Sequence, residues 1–144
     1  MRLLTVLLAG SLALTLASGA VVLAPSAQAA AIPRCTGTSL VRGLGTDLVR
    51  VPTFGNGTRD WACGLGPGNT GTAVARLQIA LNDCDVASPK LSVDGSYGRA
   101  TKRAVRQTQR AFGVRPVNGL YGPATAAKIL WPVSGRAGRC DAIS

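Results

Sequence analysis

Asp94-Gly95-Ser96-Tyr97-Gly98-Arg99-Ala100-Thr101 returns 24 residues later as Asn118-Gly119-Leu120-Tyr121-Gly122-Pro123-Ala124-Thr125. In each copy Asp or Asn followed by Gly makes a tight turn, the tyrosine ring inserts beneath it, and the next glycine lets the chain turn into a helix. Thr101 and Thr125 follow that glycine by three positions, inside the first helical turn. Two copies are too few for a solenoid. The repeat therefore reads as two matching corners, each opening a helix.

The helices follow from apolar spacing. Val74, Leu77 and Leu81 fall at i, i+3 and i+7 behind the glycine-rich entry Gly66-Pro67-Gly68-Asn69-Thr70-Gly71, which predicts an amphipathic helix from Gly71 to about Asp83. A second is expected from about Arg99 to Phe112, burying Ala104, Val105, Thr108 and Phe112, with Gly113 as its C-terminal cap. A third, short one begins at Pro123, offers Ile129 and Leu130 to the core, and stops at Trp131-Pro132. Helices this short are marginal alone. The expected fold class is therefore mainly α, a three-helix bundle. Upstream, Ser39-Leu40-Val41-Arg42 and Leu48-Val49-Arg50-Val51 flank the turn-forming Gly43-Leu44-Gly45-Thr46-Asp47, which predicts a short N-terminal β-hairpin ended by Pro52 and Asn56-Gly57.

The first thirty residues point to export. Met1-Arg2 is a positive start, Leu3 to Leu23 is apolar apart from small residues, and Ala27-Gln28-Ala29 is a small-x-small cleavage pattern. The run also approaches the roughly 20 residues of a membrane-spanning helix, but Pro25 and the alanine-rich exit favour cleavage after Ala29. The expected organisation is a signal peptide at 1–29, an extended and hairpin segment at 30–62, and a helical domain at 63–140. The mature protein is expected to be secreted, cell-wall associated and without stable membrane insertion.

Loss of Arg2 lowers the net charge only from +10 to +9. Such a balance favours an anionic partner. The cations are scattered along the chain, so a solvated face is an equally good reading. Cys35, Cys63, Cys84 and Cys140 all survive cleavage, and an even count in a small exported chain reads as two disulfides. Three connectivities are possible. The expected pairing is Cys63–Cys84, bracing the ends of the first helix, with Cys35–Cys140 tying the mature termini.

Three separated motifs then stand in order: Gly66…Val74-x-x-Leu77-Gln78-x-x-Leu81, Val93-Asp94-Gly95-x-Tyr97-Gly98-x-x-Thr101-x-x-Ala104-Val105-x-x-x-Gln109, and Gly119-x-Tyr121-Gly122-Pro123-x-Thr125. Together they resemble the peptidoglycan-binding domain 1 family over about Gly66 to Leu130. The cysteine placement also resembles small secreted bacterial proteins carrying this module alone. The resemblance implies a peptidoglycan-binding-like helical bundle, and bacterial cell-wall peptidoglycan as ligand. Asn118 stands where the family usually has Asp, and Thr108 where an aromatic usually precedes Gln109.

Catalysis finds no support in the residues. The chain has no histidine and no glutamate, which zinc hydrolases, serine and cysteine hydrolases and wall glycosidases normally require. No metal or other cofactor is expected. Neither is nucleic-acid binding, for want of stacking aromatics. The expected function is a secreted non-catalytic module binding peptidoglycan, through glycan or stem peptide, with anionic wall polymers as further partners. The alternative is a secreted protein-interaction or inhibitory domain on the same stapled fold. Candidate ligand contacts are Asp94, Tyr97, Arg99, Gln109, Arg110, Asn118 and Tyr121. The tyrosines read more readily as core rings than as contacts, and Arg99, Gln109 and Arg110 would look identical on an exposed helix face.

Overall fold

The computed structural model describes residues 31–85 and 87–143; the expected signal peptide lies outside the described residues. Two strands, β1 (Gly37–Arg42) and β2 (Leu48–Thr53), precede helices α1 (Thr72–Asp83), α2 (Arg99–Ala111) and α3 (Pro123–Ala126), and the chain closes on β3 (Trp131–Pro132) and β4 (Cys140–Asp141).

The hairpin forms as its alternation predicts. β1 and β2 pair antiparallel from Gly37 opposite Thr53 to Arg42 opposite Leu48. Ser39, Val41, Val49, Val51 and Thr53 point into the core, while Leu40, Arg42, Leu48 and Arg50 face outward. β2 runs through Pro52 to Thr53, past its expected end, because both strands of a two-stranded ribbon are edges and tolerate proline. The hairpin packs on α1, and one continuous core joins Val49 and Val51 to Val74, Leu77, Leu81, Val105 and Ile129. Each large apolar side chain so buried contributes about 1.5–3 kcal/mol. Arg76 of α1 holds the layers in place, its guanidinium donating to the carbonyls of Arg50 and Pro132.

α1 and α2 begin and end within a residue or two of expectation, but α3 is a single turn of four residues. Trp131 precedes a proline and so favours extended backbone. It leaves the helix to pair with Asp141, and its fully buried indole donates to the Ala126 carbonyl at 3.2 Å. The mainly α expectation therefore holds only in part. Two helices of three or more turns and a one-turn third helix share the core with a hairpin.

The disulfide pairing corrects the expectation. Cys35 is bonded to Cys63 and Cys84 to Cys140, in place of Cys63–Cys84 and Cys35–Cys140. A helix of 12 residues is about 18 Å long, and a disulfide needs Cα atoms within about 7 Å. Cys63 cannot brace both ends of α1 unless its lead-in doubles back. Instead residues 63–65 run beside 33–35: the Cys35 amide donates to Gly64 and the Gly64 amide to Pro33, setting Cys35 and Cys63 Cα atoms 5.0 Å apart. Cys84 follows α1 and meets β4. Closing loops of 28 and 56 residues corresponds to about 4 kcal/mol each in the chain-entropy picture.

Beyond Cys84, Asp85 accepts from the Leu130 amide through one carboxylate oxygen while the other is buried without a partner. Burial, opposed by that hydrogen bond, raises its pKa to about 7. An unfolded aspartate ionises near 4, so between about pH 4 and 7 the unfolded state holds fewer protons and this group lowers stability as pH rises. The protein is expected to melt at a lower temperature at pH 7.5 than at pH 5, and Asp85→Asn to shrink that difference. An unchanged difference in the Asn variant, read by calorimetry, would refute the assignment.

Candidate functional site

The two corners are built on one hydrogen-bond pattern, and its centre is a glutamine from the preceding helix. Gln78 of α1 is buried and accepts from the Gly95 amide at 2.9 Å. Its amide nitrogen donates to Asp94 Oδ1, the Ser96 carbonyl and Thr101 Oγ1. Gln109 of α2 repeats each contact one corner later, accepting from Gly119 at 2.9 Å and donating to Asn118 Oδ1, the Leu120 carbonyl and Thr125 Oγ1. The threonines three positions after the second glycine thus cap the glutamine amides. Asn118 replaces Asp without loss of this geometry because only its Oδ1 is used, accepting from Leu120 as Asp94 accepts from Ser96. Asp94 is exposed, and the Gln78 amide and Ser96 N–H hold its pKa below the ordinary aspartate value.

A strand-like segment laces the corners together. Leu65 and Tyr121 exchange backbone hydrogen bonds at 2.9 Å, and further along Gly71 donates to Gly95 while Tyr97 donates to Asn69. Both corners are therefore tied to residues 65–71.

The candidate contacts separate into three groups. Tyr97, Tyr121 and Gln109 are buried, with 2%, 2% and 1% of their surface exposed, so their side chains hold the corners together and are not available to a ligand. The Tyr97 hydroxyl donates to the Gly119 carbonyl at 2.9 Å, which ties the first corner to the second. The Tyr121 ring meets Trp131 edge-on at 6.1 Å, and its hydroxyl is buried without a hydrogen-bond partner. Burial raises both phenol pKa values. Arg99 and Arg110 are exposed at opposite ends of α2. Asn118 lines the larger cavity, and Asp94 lines the smaller depression at the first corner together with Arg99.

The tyrosine pair yields a differential expectation. Tyr97→Phe strands a buried carbonyl and should cost about 1–2 kcal/mol, whereas Tyr121→Phe removes an unpartnered hydroxyl and should leave stability unchanged or raised. Thermal melts of the two variants decide it, and equal losses would refute the assignment.

The cavity is a groove of about 660 Å³ beside the second corner. Leu120, Pro116, Val114, Ile32, Arg34 and Arg115 are among the residues that line it. Leu120 is 45% exposed and Ile32 59% exposed. Arg34 is anchored by a hydrogen bond to the Thr70 carbonyl. The first corner has a matching but smaller depression of about 350 Å³, between Leu91, Asp94, Arg99 and Arg103. An apolar lining with a few convergent polar groups is the usual form of a ligand site. Sequence reading missed Leu120, Ile32, Arg34 and Arg115. One signal was present: Leu120 occupies an exposed corner position where the first copy carries Ser96. Among the described residues no cluster of potential metal ligands occurs.

Residues 70–129 match the family model described as "Putative peptidoglycan binding domain". The chain is 39% identical over 74 residues to the zinc D-Ala-D-Ala carboxypeptidase of Streptomyces albus G, a match covering 51% of this chain and 29% of the relative. It is 41% identical over 61 residues to the N-acetylmuramoyl-L-alanine amidase CwlL of Bacillus licheniformis, covering 42% and 17% respectively. The chain thus spans less than a third of the length of either relative. A solved structure of a peptidoglycan-binding protein from Clostridioides difficile, in complex with glutamine hydroxamate, aligns over 61% of this chain and 53% of its own, at 24% identity and a TM-score of 0.44.

Proposed function

We propose, on the premise that residues 70–129 match the peptidoglycan-binding domain model, that the protein is a secreted, non-catalytic module that holds bacterial cell-wall peptidoglycan in the groove beside its second corner. The observation that carries the reading is the groove itself, lined by an exposed leucine, a proline and two arginines. Such a surface suits the saccharide faces, amides and carboxylates of glycan and stem peptide. Guanidinium groups bind carboxylates by paired, charge-assisted hydrogen bonds. Asn118 contributes from the rim, while Gln109 and Tyr121 keep the backbone of Gly119 to Tyr121 in the shape that forms the wall. A rigid scaffold of this kind reduces the ordering needed on binding.

The chain supplies no histidine or glutamate, so the same reading holds that walls are bound and not cleaved. The test is co-sedimentation of the oxidised protein with insoluble sacculi stripped of anionic polymers, at about 0.5 M salt, where charge attraction is screened within a few ångströms. Retention is expected, without release of reducing ends or free amines. Leu120→Asp with Arg115→Ala should weaken it about tenfold or more while the melting temperature stays near wild type. Wild-type protein left in the supernatant would instead favour a protein-interaction or inhibitory domain.

A further inference from the structure

α2 gathers five cations on one face. Arg99, Lys102, Arg103, Arg106 and Arg110 follow the i, i+3, i+4, i+7, i+11 spacing that places them side by side, and they alone line a shallow depression. The row is about 16 Å long. It holds five of the fifteen cations of the mature chain. α2 contains no acidic residue, and the ion pairs found among the described residues, Arg136 and Arg139 with Asp47, lie elsewhere. Asp94 shares the neighbouring depression with Arg99 and Arg103 but spends its Oδ1 on Gln78 and Ser96.

Folding alone does not favour this arrangement. Like charges at i+3 and i+4 repel one another on a helix, and Arg99 and Lys102 also stand against the positive end of the α2 dipole, where acids are preferred. The first turn carries no acid and Gly98 offers no side-chain cap. A bound polyanion removes both penalties.

We propose that the basic face of α2 is a second binding surface, separate from the groove, for a linear phosphate-bearing polymer of the bacterial wall. The choice of a wall polymer rests on the wall reading above; the surface itself does not. A membrane is a poorer fit, because interfacial helices expose an apolar face beside their cations, whereas Ala104 and Val105 of α2 are in the core. Nucleic acid is a poorer fit for want of aromatic rings among the five cations. Repeating phosphates along a flexible polymer match a straight row of cations, and binding releases counterions, so affinity falls steeply with salt.

The test uses the oxidised mature protein, purified poly(glycerol phosphate), and the Lys102→Gln/Arg103→Gln/Arg106→Gln variant. Glutamine keeps the Cγ atoms with which Lys102 and Arg106 lie against Gly119, and a thermal melt checks the fold. The control is Arg42→Gln/Arg50→Gln/Arg59→Gln, an equal charge change at exposed positions off α2. The α2 variant should lose about tenfold or more in affinity at about 0.05 M salt, and its slope of log affinity against log salt should flatten by about two. The control should lose much less, and retention of the α2 variant on stripped sacculi should equal wild type. Equal losses in the two variants, no polymer binding by wild type, or tighter wild-type binding to phosphatidylglycerol vesicles or duplex DNA would overturn the proposal. If wild type fails on stripped sacculi while the α2 variant still loses the polymer, the groove reading falls and this one stands.

Discussion

Gln109→Ala is expected to destabilise the protein by about 3–5 kcal/mol, a large share of the roughly 5–15 kcal/mol that holds a typical domain. The side chain is buried, and its loss leaves the Gly119 amide and the Leu120 carbonyl without their partner while opening a cavity beneath the corner. Each unsatisfied buried group costs about 1–3 kcal/mol, and the lost packing adds to that. A drop in melting temperature on the order of 10–20 °C follows for a domain of this size. Gln78→Ala should behave alike, since Gln78 makes the corresponding contacts at the first corner. Arg110→Ala, one residue further on α2 but exposed, should melt close to wild type. If Gln109→Ala melted within two or three degrees of wild type, the corners would not be organised by these amides.

Gly119→Ala is the second large expectation, and its partner is the glycine three residues later. Gly119 has φ +72°, and a Cβ there would lie 2.8 Å from the Lys102 carbonyl oxygen and 2.7 Å from Lys102 Cγ. The left-handed backbone alone costs about 1–2 kcal/mol for alanine, and the carbonyl belongs to α2 and cannot move aside. A loss of about 3 kcal/mol or more is expected in chemical denaturation, with weakened sacculus binding because Leu120 is displaced. Gly122 has φ −155°, and a Cβ there would meet nothing within 4 Å. Gly122→Ala should therefore change stability by no more than about 0.5 kcal/mol. Similar effects at both positions would mean that the repeat's glycines serve chain flexibility and not close approach.

The local elements were legible because local spacing encodes them. Val74, Leu77 and Leu81 define α1, Pro123 starts α3, and the alternation around Val49 and Val51 gives the hairpin. The corners were legible too, since Asp-Gly and Asn-Gly strongly favour turns. The glutamines at their centres were less so. Gln78 precedes Gly95 by 17 residues and Gln109 precedes Gly119 by 10, so the two amide contacts share no sequence interval, only a place in space. Thr108, beside Gln109, is buried with an unpartnered hydroxyl; nothing in the structure explains that choice over an apolar residue.

Local sequence specifies the set of parts: two corners, the helices they open, a hairpin, four cysteines with no free thiol left over, and the motifs by which residues 70–129 match a peptidoglycan-binding domain model. Each follows from contacts within a turn or two, or from a motif read in order. How the parts meet is a property of the tertiary structure. It pairs the cysteines by the strand-like approach of residues 63–65 to 33–35, ties the Tyr97 hydroxyl to the second corner, and places Trp131 in the core. It also brings Ile32 and Arg34 to Arg115 and Leu120 from far apart in the chain. These outcomes depend on distances between remote segments, which burial and backbone pairing set and local periodicity does not carry.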